Sequence, residues 1–394
     1  MRNFLHTNIK TVQMKGKREM RLALFTNIPS HYQISLNQAF AERLPGKFAM
    51  VCWESGMEDR KQLGWWEDYE YPWLVKAWKS AEEYTRAIDI LRSAEIVIWG
   101  YAPEEEIATR VARNKLTFRY TERFFKRGRW RILDPRVLRA ALQIHGSSRH
   151  RAHHLLAVGP YCASDYRLLR SFPGRMWRWG YFPQVPDRLN RKESGDEMVI
   201  LWAGRMLDLK RVDLLLEGAA WARAEGSGHF RVRLIGYGPE EERLRALARR
   251  LGLADSCEFL GPMSPEDVWK AMEQADIYVF PSNQQEGWGA VVNEAMSYGC
   301  CVIGSQSAGS VPWLIRDGMN GYIFCGHSAE KLGRILLRCL ESPARTREMG
   351  VAAHNTMVSL WSPQVAAERF LQLCDALEAG KPPSFGDGGP CSPA

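Results

Sequence analysis

Twice along this chain a short apolar run closes in a turn, gives way to a polar stretch long enough for a helix, and then recurs. In the first half the runs are "RLALFT" (21–26), "FAMVCW" (48–53), "EIVIWG" (95–100) and "LLAVG" (155–159), the last of them read as the final strand of that half. After "WGYFPQVPDRLNRKESGDE" (179–197) the pattern restarts with "MVILWAG" (198–204), "RVRLIGYG" (231–238), "CEFLG" (257–261) and "DIYVFPS" (276–282). Between them lie helix-compatible segments at 211–226, 239–253 and 264–275, the second opening on Pro and acids and the third on Ser-Pro. Apolar strands of four to eight residues alternating with helices bury both faces of a parallel sheet. The pattern predicts an α/β chain with two doubly wound sheets and a Pro-, Gly- and charge-rich linker between them.

Size agrees with two cores: 394 residues exceed what one core of this class holds. The expected layout is an N-terminal extension (1–20), a first domain (21–180), a linker (181–197), a second domain (198–361), a final helix (362–380) and a disordered tail (381–394). A 45% hydrophobic and 25% charged composition excludes fibrous and disordered classes. No apolar run reaches membrane-spanning length, and the basic N-terminus lacks an apolar core before a cleavage site. Nine cysteines without a C-x-x-C pair suggest neither a disulfide framework nor zinc, and the vicinal Cys300–Cys301 reads as buried, reduced thiols. These features predict a cytoplasmic protein. A net charge of +8 favours anionic partners.

In doubly wound sheets ligands bind beyond the carboxyl ends of the strands. The turn after 198–204 offers Gly204, Arg205 and Lys210, two cations suited to a diphosphate. At roughly 4 Å and an effective dielectric near 20, each pair contributes on the order of 4 kcal/mol before desolvation. The turn "IGYGPEEERL" is Gly-rich but ordinary. More specific is "NQQEGWGAVVNEAMSYG" (283–299), where a loop enters a helix closed by Gly299. Backbone N–H groups of Gly287, Trp288 and Gly289 are expected to face an anion. Glu286 outside the helix and Glu294 within it are expected to reach the cleft at different depths, and carboxylates accept hydrogen bonds from vicinal diols. Such a set describes a sugar–diphosphate–ribose ligand. No Asp-x-Asp pair occurs to hold a metal on the diphosphate, and Arg205 with Lys210 can supply that charge instead.

The spacing E-x7-E in "EGWGAVVNEAMSYGCCVIG", the Arg-x4-Lys after "AGR", and "AGSVPWLIRDGMNGYIF" (308–324) resemble the C-terminal half of retaining GT-B glycosyltransferases of the family 4 type. The likeness is close over about 198–340 and general in the first half. It implies two Rossmann-like domains facing a central cleft, a nucleotide-sugar donor (UDP- or GDP-linked) as co-substrate, no cofactor and no metal. Arg205 and Lys210 would hold the diphosphate and stabilise the departing charge. Glu286 would contact the transferred sugar, Glu294 the ribose, Pro262 and Met263 the base, and Gly287, Trp288 and Gly289 would donate backbone bonds. The final helix would return to brace the first domain. Trp288 and the first loop "NIPSHYQ" (27–33), which lacks the usual glycines, depart from the family pattern.

The first half is expected to hold the acceptor, whether a glycan, a lipid-linked carrier or a small molecule. His31 in the first loop and Arg119, Glu122 and Arg123 in "FRYTER" are the candidates, with His31 and His145 alternatives for a catalytic histidine. The run "RYTERFFKRGRWR" (119–131) interleaves bases and aromatics. No nucleic-acid-binding signature accompanies it; it reads either as a solvated basic face or as a surface for anionic lipid headgroups or a lipid-linked diphosphate acceptor, which would put the protein peripherally on the inner face of a membrane. "HGSSRHRAHH" reads as a solvated basic helix face carrying His150 and His154 four apart. A nucleotide-sugar epimerase of the same fold and a non-catalytic basic binding protein are the rival readings.

Overall fold

A computed structural model describes residues 20–56, 68–190, 197–226, 229–381, 385–386 and 388–394. The expected N-terminal extension, apart from Met20, and residues 191–196 of the expected linker lie outside these. The first sheet is built from β1 (Leu22–Thr26), β2 (Phe48–Cys52), β3 (Leu74–Lys76), β4 (Ile96–Trp99), β5 (Thr117–Thr121), β6 (His153–Val158) and β7 (Met176–Trp179). Its order is β3-β2-β1-β4-β5-β6-β7, and every pairing is parallel. The second sheet holds β8 (Met198–Ala203), β9 (Phe230–Ile235), β10 (Cys257–Gly261), β11 (Ile277–Phe280), β12 (Cys301–Ser305) and β13 (Gly321–Phe324) in the order β10-β9-β8-β11-β12-β13, also parallel. Both are Rossmann-like doubly wound sheets, and together they form the GT-B fold. β1, β2, β4, β11 and β12 are buried along their whole length, as strands covered on both faces must be.

Local chemistry places the helices around the sheets. Ser80, Ser264, Ser328 and Ser362 cap helix starts by accepting a backbone N–H three residues on. Proline follows the cap at Pro265 and Pro363, where no N–H is missed. The last helix, Pro363–Glu378, lies on the first domain: Phe370 packs 4.8 Å from Phe118, 5.6 Å from Phe40 and 5.8 Å from Trp179, and Glu378 pairs with Arg21 at 2.7 Å. An aromatic seam continues from there between the domains through Phe182, Trp361, Trp288 and Trp313.

Three sequence expectations are corrected. "LLAVG" is not the last strand of the first domain, because β7 follows it at the sheet edge. The histidine run is not a solvated helix face. His153 and His154 open β6 with both side chains buried, and burial lowers their pKa to about 4 and about 3. The tail is not disordered over its last residues. Cys391 is fully buried, Cys391 N donates to Arg178 O at 2.9 Å, Arg178 N to Ser392 O at 2.8 Å, and Ala394 N to Met176 O at 3.0 Å. The open edge of β7 supplies what the Gly-, Pro- and Ser-rich tail lacks by itself, a row of unpaired backbone groups.

Candidate active site

In each sheet the strand order reverses beside the first strand, between β1 and β4 and between β8 and β11. Beyond such a reversal the connections leave to opposite faces and open a crevice. In the second domain that crevice lies between the loops after β8 and β11, which carry the cations and the acids. Gly204 and Arg205 are exposed at the end of β8. A 3₁₀ turn, Asp208–Lys210, then brings Lys210 Nζ to 2.5 Å from Glu286 Oε2, with both side chains mostly buried. The two charged residues that sequence spacing assigned to diphosphate and sugar therefore neutralise each other across 76 positions of chain. A ligand with phosphates for one and hydroxyls for the other can replace that pair without stranding either charge.

The helix expected at Glu294 spans only Val291–Ser297. Gly287, Trp288 and Gly289 precede it in a loop, and Gly289 has φ 80°, a left-handed conformation suited to glycine. Trp288 contributes only its backbone to the cleft. Its ring is fully buried in the interdomain seam, and its Nε1 donates to Asn293 Oδ1 at 2.7 Å. Asn293 Nδ2 in turn donates to Tyr181 O at 3.1 Å, tying the helix to the chain that links the domains. Glu294 is buried as well, at 1% exposure, and accepts from Trp269 Nε1 at 3.0 Å. Burial pushes its carboxyl up to about 7, against the lowering effect of the Trp269 bond. Pro262 is exposed and Met263 half-buried in the turn after β10.

The first domain reaches this loop through Glu122 and Arg123, just past β5. Glu122 Oε1 accepts from Trp288 N at 3.3 Å and from Tyr181 Oη at 3.1 Å, while Oε2 pairs with Lys126. A Cβ on Gly287 would overlap the Glu122 carboxylate. The N–H group assigned to an anion thus does face one, from the opposite domain. Arg123 Nη1 donates to Gln284 O at 3.1 Å. Asp165, fully buried, accepts from Phe125 N at 2.9 Å and lies 3.5 Å from Arg123 Nε, which holds this segment in place. His31 begins the helix after β1, its ring 3.7 Å from that of Tyr32, which lies 6.2 Å from Tyr181. Arg119 is turned over Trp99 at 4.7 Å, and His145 bonds the Leu169 carbonyl in the first domain.

Sequence reasoning missed Tyr181 and Asp165, whose local context carries no motif, and Asn293, which lies inside the E-x7-E stretch without a role assigned to it. It also missed a cavity of about 490 Å³ beside Lys210, at the carboxyl ends of β8, β9, β11 and β13 and lined by Asp208, Arg211, Arg243, Asn283 and His327 among others. Arg211 is held there at φ 51°, which costs on the order of 1 kcal/mol. Its guanidinium bonds Asp213 at 3.1 Å and His327 Nδ1 at 3.1 Å.

Comparison with known proteins finds relatives both in sequence and in this two-sheet architecture. Residues 187–356 match the family model described as glycosyl transferases group 1. The D-inositol 3-phosphate glycosyltransferase of Streptomyces griseus is 33% identical over 246 residues, covering 56% of this chain and 51% of that protein. The amylovoran biosynthesis glycosyltransferase AmsK of Erwinia amylovora is 27% identical over 236 residues, covering 59% and 54%. The chain thus spans about half the length of these curated relatives. Among solved structures, Anabaena Alr3699/HepE in complex with UDP and glucose superposes with a TM-score of 0.65 at 13% identity, covering 91% of this chain and 100% of that one.

Proposed function

We propose that the protein transfers a sugar from a nucleotide diphosphate-sugar, UDP- or GDP-linked, to a hydroxyl of a glycan, lipid-linked or small-molecule acceptor. The reading is carried by one observation: Lys210 and Glu286, from the loops after β8 and β11, meet at the strand-order reversal under a loop that the first domain also touches. In transfer, the bond from the anomeric carbon to the phosphate oxygen breaks and its electron pair leaves with the nucleoside diphosphate. The acceptor oxygen forms the new bond to that carbon, and its proton passes to the departing phosphate oxygen. Arg205 and Lys210 offset the charge growing on the diphosphate, a role for fixed cations that does not call on a metal. Glu286, released from Lys210, takes sugar hydroxyls. Gly204 and the N–H groups of Gly287, Trp288 and Gly289 line the phosphates, and Pro262 and Met263 the base. Glu122, Arg123, Arg119 and His31 serve the acceptor side. Retention of anomeric configuration rests on the E-x7-E resemblance. An anionic membrane on the cytoplasmic side would present the acceptor.

Melting with a panel of nucleoside diphosphates and nucleotide sugars tests the donor. A ligand at about 100 times its Kd stabilises by about 2.7 kcal/mol, a visible rise in Tm. No shift with any uridine or guanosine diphosphate would reject the reading. Lys210→Ala should keep its fold and lose roughly 10²–10³ in kcat with the donor so found. Turnover near that of the parent would remove Lys210 from the mechanism.

A further inference from the structure

The first domain exposes an apolar ridge that its own core does not use. A 3₁₀ turn, Arg129–Leu133, leads into the helix Pro135–Ser147, whose first N–H groups are capped by Asp134. Trp130 and Leu133 lie three apart on a helix of three residues per turn, so they share a face. Leu133 precedes the cap and Leu138 is the fourth helical residue, positions that meet around a helix start. Leu142 follows Leu138 by four and continues the row. Trp130, Leu133, Leu138 and Leu142 are 70%, 82%, 45% and 63% exposed, while Ala141 and Ile144 face the core. Four large apolar side chains therefore form one continuous exposed strip.

Charge surrounds the strip. Arg127, Arg129, Arg136 and Arg139 are exposed around it. From Arg123 to Arg151 the sole acid is Asp134, already engaged with Arg136 N and Arg131. At its base a cavity of about 190 Å³ is lined by Arg123, Lys126, Arg127 and Arg131 over Phe124, Phe125 and Val137. Arg123 also touches the loop after β11, so this cavity adjoins the cleft.

We propose that this ridge and its arginine collar dock the protein on an anionic phospholipid surface, with the apolar row entering the headgroup boundary and the cationic cavity receiving a lipid phosphate. Arginines around protruding Trp and Leu side chains match a surface that is negative outside and apolar beneath. A second copy of the chain fits poorly, because pairing the ridge with itself would set arginine against arginine. The surface stands on its own geometry and rests on the transfer reading only in placing a lipid-linked acceptor beside the cleft.

Flotation with vesicles tests the surface without donor or acceptor. The protein should float with phosphatidylcholine containing roughly 30% phosphatidylglycerol, lose binding as salt rises, and stay behind with pure phosphatidylcholine. Neutralising Arg127, Arg136 and Arg139 to Gln should weaken partitioning by about fivefold per arginine. Leu133→Ser with Leu142→Ser should cost about tenfold or more. These side chains are exposed, so the variants should melt like the parent and keep the nucleotide-induced shift. That control separates loss of docking from failure of the donor reading. Flotation indifferent to anionic lipid or to both sets of variants would overturn the proposal. So would a ridge-dependent dimer in sedimentation, or ridge-dependent binding of an oligonucleotide without vesicle binding.

Discussion

Glu294 shows how far a residue's setting departs from its spacing. Eight positions from Glu286, it is expected to reach the cleft at a greater depth, yet it is enclosed with the Trp269 indole as its hydrogen-bond donor. Burial raises its pKa from 4.5 to about 7. A carboxyl raised in this way stabilises the fold fully below about pH 4.5, and that contribution is lost as pH climbs through 7, a change of about 3 kcal/mol. Glu294→Gln keeps an oxygen for Trp269 and removes the titration. Its stability relative to the parent should therefore rise between pH 5 and pH 8 in denaturant titrations. A difference that stays flat across that range would mean the carboxyl is not held neutral. Buried His153 and His154 act in the opposite sense, contributing above pH 6.5 and losing that contribution as pH falls toward 4 and 3.

At the scale of elements, most strands with a clear apolar run were legible, and β3, β5 and β7 were not. β3 is three residues long, and β5 carries Arg119 within the basic stretch, so neither shows a run. β7, "MWRW", was absorbed into the approach to the linker, and its edge then orders a tail whose composition argues for disorder. Removing residues 388–394 takes away three backbone bonds at roughly 1 kcal/mol each and uncovers Cys391 and the β7 edge. The truncated protein should unfold at least about 3 kcal/mol more easily and aggregate sooner on heating. An unchanged Tm would show that the tail rests on the sheet without supporting it.

At the scale of the molecule, the two sheets share a core as well as a cleft. The seam from Phe370 through Trp179, Phe182 and Trp361 to Trp288 runs between the domains, so the loop after β11 is anchored from behind while Glu122 engages it in front. Glu122 thus clasps that loop from the other domain. Glu122→Ala removes the acceptor for Trp288 N, Tyr181 and Lys126 together. It should loosen closure, seen as a larger radius of gyration in small-angle scattering without a nucleotide. A radius equal to the parent's would place closure in the aromatic seam alone.

The alternation of apolar runs and helix segments determined the two doubly wound sheets, because period and turn chemistry act over a few residues. The same local logic placed Arg205, Lys210 and Glu286 beyond strand ends. Only tertiary packing decided that Lys210 and Glu286 meet, that Trp288 turns inward, that Glu294 is enclosed, and that Glu122 crosses from the other domain. Those outcomes depend on contacts between segments 25 to 166 positions apart, where burial and the pairing of charges outweigh what any short stretch prefers.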